Sequence, residues 1–499
     1  MSQLKKLAGE TAIYGVSSMV GRMLSFLLVP FYTSIFAPAE YGVVTKLYAF
    51  VAFFNVLYTF GLETAYFRFA FKNLEDENKA YSIAQTSILS VTVIFTIFLI
   101  SFATPISHWV GIPGNANYII WFAFILAIDA IVAIPFAKLR LEKRPILFAS
   151  AKMINIGLNI GLNLILLVFL PQIFKGEFLS IFQPFVRSFY NPDLGIEYIF
   201  ISNLIANAFF IIILWKVLKK AKLHFDWGYF RPMWKYAYPI LLTGLAGVTN
   251  EMLSRTMLDE LLPPNFYPGR TNEAALGIFG ACYKLSVFMN LGIQAFRFAA
   301  EPFFFSKEKD KNSKQLFADV MHWFVIVGCL TFLAISINLD LLQYVLRGEA
   351  YREGIHIVPL LTLGYFFLGI YYNLTVWFKL TDKTYYGTYI SFGGAIITVL
   401  LNILLIPYYG YEGSSMVTFI CYFLMTVACF ILGQKYYPIP YKAFKDSLYI
   451  IVTCLLVFLV NRFYIPNQFT ATAFHLFVIL MFIVGILLIE KIKLKYKPN

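Results

Sequence analysis

Arg22, Lys46 and Lys284 stand inside long apolar runs, and Arg68 and Arg297 stand at the ends of the runs that hold Lys46 and Lys284. A cation is costly at bilayer depth, so it usually faces a bundle interior or a watered cavity. A guanidinium offers a planar fork of N–H donors that matches phosphate or carboxylate oxygens, whereas an ammonium adds a compact point charge. These five residues are therefore the candidate ligands for an anionic cargo. Arg22 lies about 16 Å along the first apolar run from its charged end, near the middle of a ~30 Å core. Structural pairing is the alternative for Arg22, and bending toward the interface is the alternative for Lys46 and Lys284. Arg68 and Arg297 are expected to reach headgroups, or phosphate at the mouth.

The acids in such runs are fewer: Glu63, Asp129 and Glu251, with Glu301 at a run's end. Asp129 and Lys152 fall at similar depth on two adjacent runs, about equally far from the charged turn at 138–145. They read as a neutralising pair that holds a hairpin together, or as a titratable or sodium-binding site. Glu251 is one turn from Arg255, which again suggests a structural pair. Lys152, Asn155, Asn159 and Asn163 recur at three- and four-residue spacing and share one helix face. In lipid, such asparagines either bond across helices or line a cavity. The five histidines are scattered and the five cysteines all lie in apolar runs, so neither a metal site nor a disulfide framework is expected.

The elements that position these residues follow from composition. Hydrophobic residues make up 60% of the 499 and charged residues only 13%, against about a quarter charged in a soluble chain. Uncharged runs such as Met153–Phe174, Thr384–Tyr411, Gly413–Gln434 and Phe463–Ile489 are long enough to cross a bilayer. The expected fold is all-α and polytopic, with about 14 transmembrane helices. The spans fall near 11–36, 41–71, 80–106, 115–138, 146–170, 195–216, 234–256, 275–300, 318–340, 355–379, 384–406, 411–434, 446–464 and 470–490. With the N-terminus inside, the inner segments collect 27 of the 40 Lys and Arg, so the net charge of +13 reads as topology. Both termini are then cytoplasmic, nucleic acid is not an expected partner, and the first span reads as uncleaved.

The chain also repeats itself. Ala65-Tyr66-Phe67-Arg68-Phe69-Ala70 reads like Gln294-Ala295-Phe296-Arg297-Phe298-Ala299, and the run from Leu162-Asn163 echoes that from Leu401-Asn402. The offsets, 229 and 239 residues, indicate a duplication. Two lobes of six spans are expected, over 1–222 and 223–440, followed by two additional spans over 441–499. Parallel repeats of this kind place cargo between their halves.

The run Gly15-Val16-Ser17-Ser18, Gly21-Arg22, Pro30-Phe31-Tyr32 and Pro38-Ala39-Glu40-Tyr41-Gly42 resembles the opening of the polysaccharide biosynthesis proteins. These are oligosaccharide-lipid flippases of the multidrug/oligosaccharidyl-lipid/polysaccharide exporter superfamily. Asn402 with Pro407-Tyr408-Tyr409-Gly410-Tyr411-Glu412-Gly413 is similar to the family's turn between spans 11 and 12. The resemblance covers essentially the whole chain. It implies a V-shaped pair of six-helix lobes, with spans 1, 2, 7 and 8 walling a central cavity that opens alternately to either side. Where span 7 of such proteins often carries an Asp-Arg pair, this chain has Ser254-Arg255, which weakens an acidic role there.

The expected activity is transport rather than catalysis: translocation of a polyprenyl-diphosphate-linked oligosaccharide across the bacterial cytoplasmic membrane. The expected partners are that lipid-linked oligosaccharide, membrane lipid, and H+ or Na+ as a coupling ion, with no cofactor. Pro30, and Pro239 with Gly244 and Gly247, are expected bending points. A multidrug exporter of the same fold would need acids as its deepest wall charges, where this chain has bases. A membrane glycosyltransferase or polymerase would need catalytic groups on substantial outer loops. No Walker loop is present to support an ATP-driven pump.

Overall fold

The computed structural model describes residues 24, 26–72, 77–307, 312–381, 383–463 and 465–490. Arg22 and the rest of the Gly15–Arg22 motif lie outside these residues. In hydrocarbon every backbone N–H and C=O must be satisfied within its own segment, so apolar runs of this length fold as helices. Among the described residues, 10 helices are long and apolar enough to cross a membrane.

The chain divides into two compact units. One holds the chain up to Leu28 together with Ala39–Thr256; the other holds Val29–Pro38 and Met257–Asn499. The division at Thr256–Met257 leaves the seventh expected span mostly in the first unit, beyond the 222/223 boundary expected from the repeat.

The second unit begins with the short helix α1 (Leu28–Ile35). The first unit is built from α2 (Pro38–Thr59), α3 (Leu62–Lys72), α4 (Glu77–Ser101), α5 (Ala116–Leu141), α6 (Pro145–Leu164), α7 (Glu197–Ile213) and most of α8 (Trp227–Leu261). Pro145 opens α6 at a position where its missing N–H has no intrahelical partner to lose. The helix then widens into a π turn at Ile165–Phe169 and runs on to Lys175. The core of this unit is aromatic: Phe122 and Phe200 have ring centroids 4.7 Å apart, and Tyr48 and Tyr118 meet them edge-on.

The second unit continues with α9 (Asn272–Lys307), α10 (Ser313–Ile337), α11 (Val358–Leu374), α12 (Tyr385–Tyr436), α13 (Ala443–Val460) and α14 (Gln468–Ile489). Small residues let these helices close up, as where Gly364 meets the backbone of Phe419. The segment after α1 is pinned to the loop before α11. The Tyr351 hydroxyl donates to the Phe36 carbonyl at 2.8 Å, and the Arg347 N–H donates to Thr33 Oγ1 at 3.1 Å. Although α12 is 52 residues long, it is two helices joined at Gly410 (φ 55°, ψ −134°). This break falls in the Pro407–Gly413 turn expected between two spans, and Tyr267 stacks on Tyr411 beside it at 4.4 Å.

The second expected span, 41–71, is not continuous. Phe60 (φ 30°) and Gly61 (φ 73°) break it between α2 and α3. A Cβ at Gly61 would lie 2.6 Å from the Ala237 carbonyl oxygen of α8, so the position needs both left-handed backbone and no side chain. Gly61→Ala should destabilise the protein by about 1–3 kcal/mol. Gly269, also left-handed (φ 73°) but with open space around it, supplies the comparison: Gly269→Ala should cost about 1 kcal/mol. Equal thermal unfolding midpoints for the two variants would remove the role given to the Ala237 contact.

Candidate functional site

Three helices of the first unit meet around amide and carboxylate groups. Asn207 of α7 donates from Nδ2 to Asp129 Oδ1 of α5 at 2.9 Å, and accepts on Oδ1 from Asn155 Nδ2 of α6 at 2.8 Å. Lys152, one turn before Asn155, lies over the rings of Phe136 and Phe210, 4.4 and 4.9 Å from their centroids. Lys152 is near enough to act on Asp129 electrostatically, but the hydrogen bond to Asp129 comes from Asn207. The expected pair is thus a chain, Asp129–Asn207–Asn155, with the lysine held beside it by aromatic faces. Farther along α6 the stripe turns inward on itself: Asn163 donates to Asn159 Oδ1 and to the Asn159 carbonyl, both at 2.8 Å.

The charged ends of the helices form a second group. The Arg68 guanidinium stacks on the Tyr236 ring of α8 at 4.2 Å, within the first unit. In the second unit, Arg297 stacks on Tyr372 of α11 at 4.4 Å. Glu63 is ion-paired with Arg140. Lys138, 1% exposed, is held by Glu77 at 2.5 Å and Glu142 at 3.5 Å, over the face of Tyr81. Partial burial opposes ionisation of Glu142, which follows α5. The hydrogen bond from Lys220 and the charges of Lys138, Lys220 and Arg144 outweigh it and hold this carboxyl below its ordinary range.

The other expected site residues are dispersed. Lys46 is 2% exposed, inside the first unit, and a Cβ on Gly111 would sit 3.2 Å from its Nζ. Lys284 is exposed on α9. Glu251 is half-buried on α8 and, among the described residues, forms no ion pair with Arg255. Arg22 lies outside the described residues, as does the side chain of Glu301. No group of three or more His, Cys, Asp or Glu suited to a metal occurs among the described residues. Spacing along the chain missed Asn207, Glu77 and Tyr236, whose partners lie on other helices. Only the polar character of Asn207 in an otherwise apolar run could have flagged it.

A helical chain with this many apolar spans and with its charges gathered at helix ends has the fold of a multi-pass membrane transporter. The chain belongs to the polysaccharide biosynthesis protein family, whose description matches residues 7–308. No curated protein matches it. Its structure is similar to that of the lipid II flippase MurJ in an inward closed conformation (TM-score 0.70, 14% identity, covering 95% of this chain and 98% of that one). It is also similar to an inward-facing multidrug resistance MATE family transporter of the MOP superfamily (0.63, 13%, 86% and 95%). The Vibrio cholerae MATE transporter VcmN is a further likeness (0.54, 16%, 87% and 96%).

Replacing Asn207 by Leu leaves the Asp129 carboxylate and the Asn155 amide without their shared partner. The loss should be about 1–2 kcal/mol, more than for Asn155→Leu, which strands only one acceptor; thermal unfolding of the two variants checks the order. The sign for Glu142 follows from its lowered range. The folded state binds its proton less readily than the unfolded one, so its contribution is complete above the ordinary carboxylate range and is lost as pH falls through the folded value. The unfolding midpoint should therefore drop on acidification below about pH 4.5, and drop less in Lys220→Met.

Proposed function

We propose that this protein is a flippase that translocates a polyprenyl-diphosphate-linked oligosaccharide across the cytoplasmic membrane by alternating access, supplying cell-surface polysaccharide synthesis. The observation that carries the reading is the arginine at corresponding points of the two repeats, Arg68 and Arg297, each laid on a tyrosine ring. Stacking engages the face of a guanidinium and leaves its N–H donors in the plane, the edge that a diphosphate recognises bidentately. The lipid II flippase likeness and the family support a lipid-linked cargo; the polyprenyl tail would stay in lipid while the charged headgroup follows the cations. Arg22, Lys46 and Lys284 supply further positive charge along the path in this reading, and the organisation is two six-span lobes with two additional C-terminal spans. Both termini are cytoplasmic.

The same fold is shared with multidrug transporters, and a half-buried carboxylate between helices is what a cation antiporter would use. Asp129 is the acid placed for coupling to H+ or Na+, with Asn207 and Asn155 as its neighbours.

The test is glycan export and lipid-linked precursor accumulation in cells carrying variants matched for abundance. Arg68→Ala and Arg297→Ala should each lower export by about 10- to 100-fold, the value of a charge-assisted hydrogen bond, with partial recovery in the Lys variants. Arg22→Ala should behave alike. Unchanged export in all three would remove the anion-gripping role. For coupling, Asp129→Asn should flatten the dependence of export on the pH or sodium gradient; an unaltered dependence assigns Asp129 to packing alone.

A further inference from the structure

A cavity of about 730 Å³ lies wholly within the first unit, where the start of α4, the end of α5 and the 217–226 connection to α8 converge. It falls in the size range of small-molecule sites, about 300–1,000 Å³. Five lysines (Lys79, Lys138, Lys219, Lys220 and Lys222) and His224 line it against two carboxylates, Glu77 and Glu142. Both carboxylates are already engaged. Glu77 and Glu142 hold the buried Lys138 that forms the floor, and Glu142 also takes Lys220 at 3.0 Å. Lys79 is matched by Asp226 at 3.0 Å. Lys219 rests on the ring of Trp215, and neither it nor Lys222 has a carboxylate within ion-pair distance among the described residues. Glu75 and Asp76, just before α4, lie outside those residues.

The connection is not loose where it passes the cavity. The Lys222 N–H donates to Ser82 Oγ at 3.1 Å, the His224 N–H donates to Thr86 Oγ1 at 3.2 Å, and the Tyr81 hydroxyl donates to the Val217 carbonyl at 2.9 Å. Three hydrogen bonds thus strap 217–224 across α4 and hold Lys219 and Lys222 beside the other lysines with no carboxylate of their own among the described residues. Holding uncompensated ammonium groups together costs Coulomb energy, which a multivalent anion reverses. The 25-residue α4 also opens at this cavity, and its N-terminal dipole adds to the positive potential.

We infer that this cavity is an anion site, separate from Arg22, Lys46, Lys284, Arg68 and Arg297, that takes a phosphate-bearing group and tightens the strap between the connection and α4. The side of the membrane rests on the orientation proposed above, which makes the site cytoplasmic; the binding chemistry does not depend on the cargo. The phosphate has two sources, an anionic lipid headgroup in the adjoining leaflet or a soluble phosphate.

The experiment follows hydrogen exchange of peptides covering 217–226 in the full-length protein, reconstituted in phosphatidylcholine nanodiscs at matched ionic strength. One arm adds inorganic pyrophosphate; the other replaces part of the lipid by phosphatidylglycerol. A ligand at about ten times its dissociation constant should slow exchange there about tenfold. Slowing by pyrophosphate in neutral lipid supports a soluble source, and slowing by phosphatidylglycerol alone supports a headgroup. Either effect should vanish in the Lys219→Gln/Lys222→Gln double variant, whose side chains are exposed and whose fold is not at risk, and persist in Lys435→Gln. No slowing in either arm, or equal slowing in the double variant, overturns the site. Unchanged glycan export in Arg68→Ala and Arg297→Ala with the strap response intact would instead count against the flippase reading alone.

Discussion

A charge enclosed by apolar helices has to be answered by an opposite charge, an amide or an aromatic face, and this chain uses all three. Lys138 is answered by two glutamates and a tyrosine ring, Lys152 by two phenylalanine rings, and Asp129 by an asparagine. The choice has mechanical consequences. An ion pair removed from water gains little if its partners are imperfectly placed, because desolvation takes back most of the Coulomb energy. Lys152 acts on Asp129 across space rather than by a direct bond, and the Asp129–Asn207–Asn155 chain is joined by amide hydrogen bonds. That leaves the carboxylate hydrogen-bonded to a neutral amide.

Much of this architecture is legible in the sequence because bilayer thickness imposes a length and helical bonding imposes a period. The apolar runs, the turn at Pro407–Gly413 and the doubled Arg68 and Arg297 motif are local features and could be read directly. The break at Phe60–Gly61 could not, since it is set by the Ala237 carbonyl of a helix some 170 residues away. The hydrogen-bond partner of Asp129 was hidden for a similar reason. Depth from a shared turn puts Lys152 and Asp129 level, and Lys152 does act on Asp129 electrostatically, but the side chain that bonds the carboxylate comes from α7, whose Asn207 lies between Asp129 and Asn155. Periodicity grouped Lys152, Asn155, Asn159 and Asn163 on one face. It could not tell that Asn155 would bond across helices while Asn159 and Asn163 bonded to each other.

Fold likeness alone does not choose a cargo here, since a lipid II flippase and multidrug transporters superpose on the same chain at comparable identity. The two kinds of cargo call for opposite charges along the path. An exporter of cationic drugs gains from carboxylates along its path, whereas a diphosphate headgroup gains from guanidinium and ammonium groups. Among the described residues the acid Glu63 is ion-paired with Arg140.

The two stacked arginines carry the point further because their partners are not equivalent. Arg68 at the end of α3 meets a tyrosine of α8, a helix five elements later in the chain; Arg297 near the end of α9 meets a tyrosine of α11, two elements later. A contact whose purpose was only to fasten one helix to another would be expected to join corresponding helices in the two repeats. Here the joined helices differ while the local chemistry is the same: a guanidinium flat on a phenol ring at the charged end of an apolar helix. Stacking restricts the long side chain and so reduces the entropy lost when its N–H edge meets an oxyanion. The feature common to the repeats is therefore a stacked arginine rather than a particular helix–helix joint.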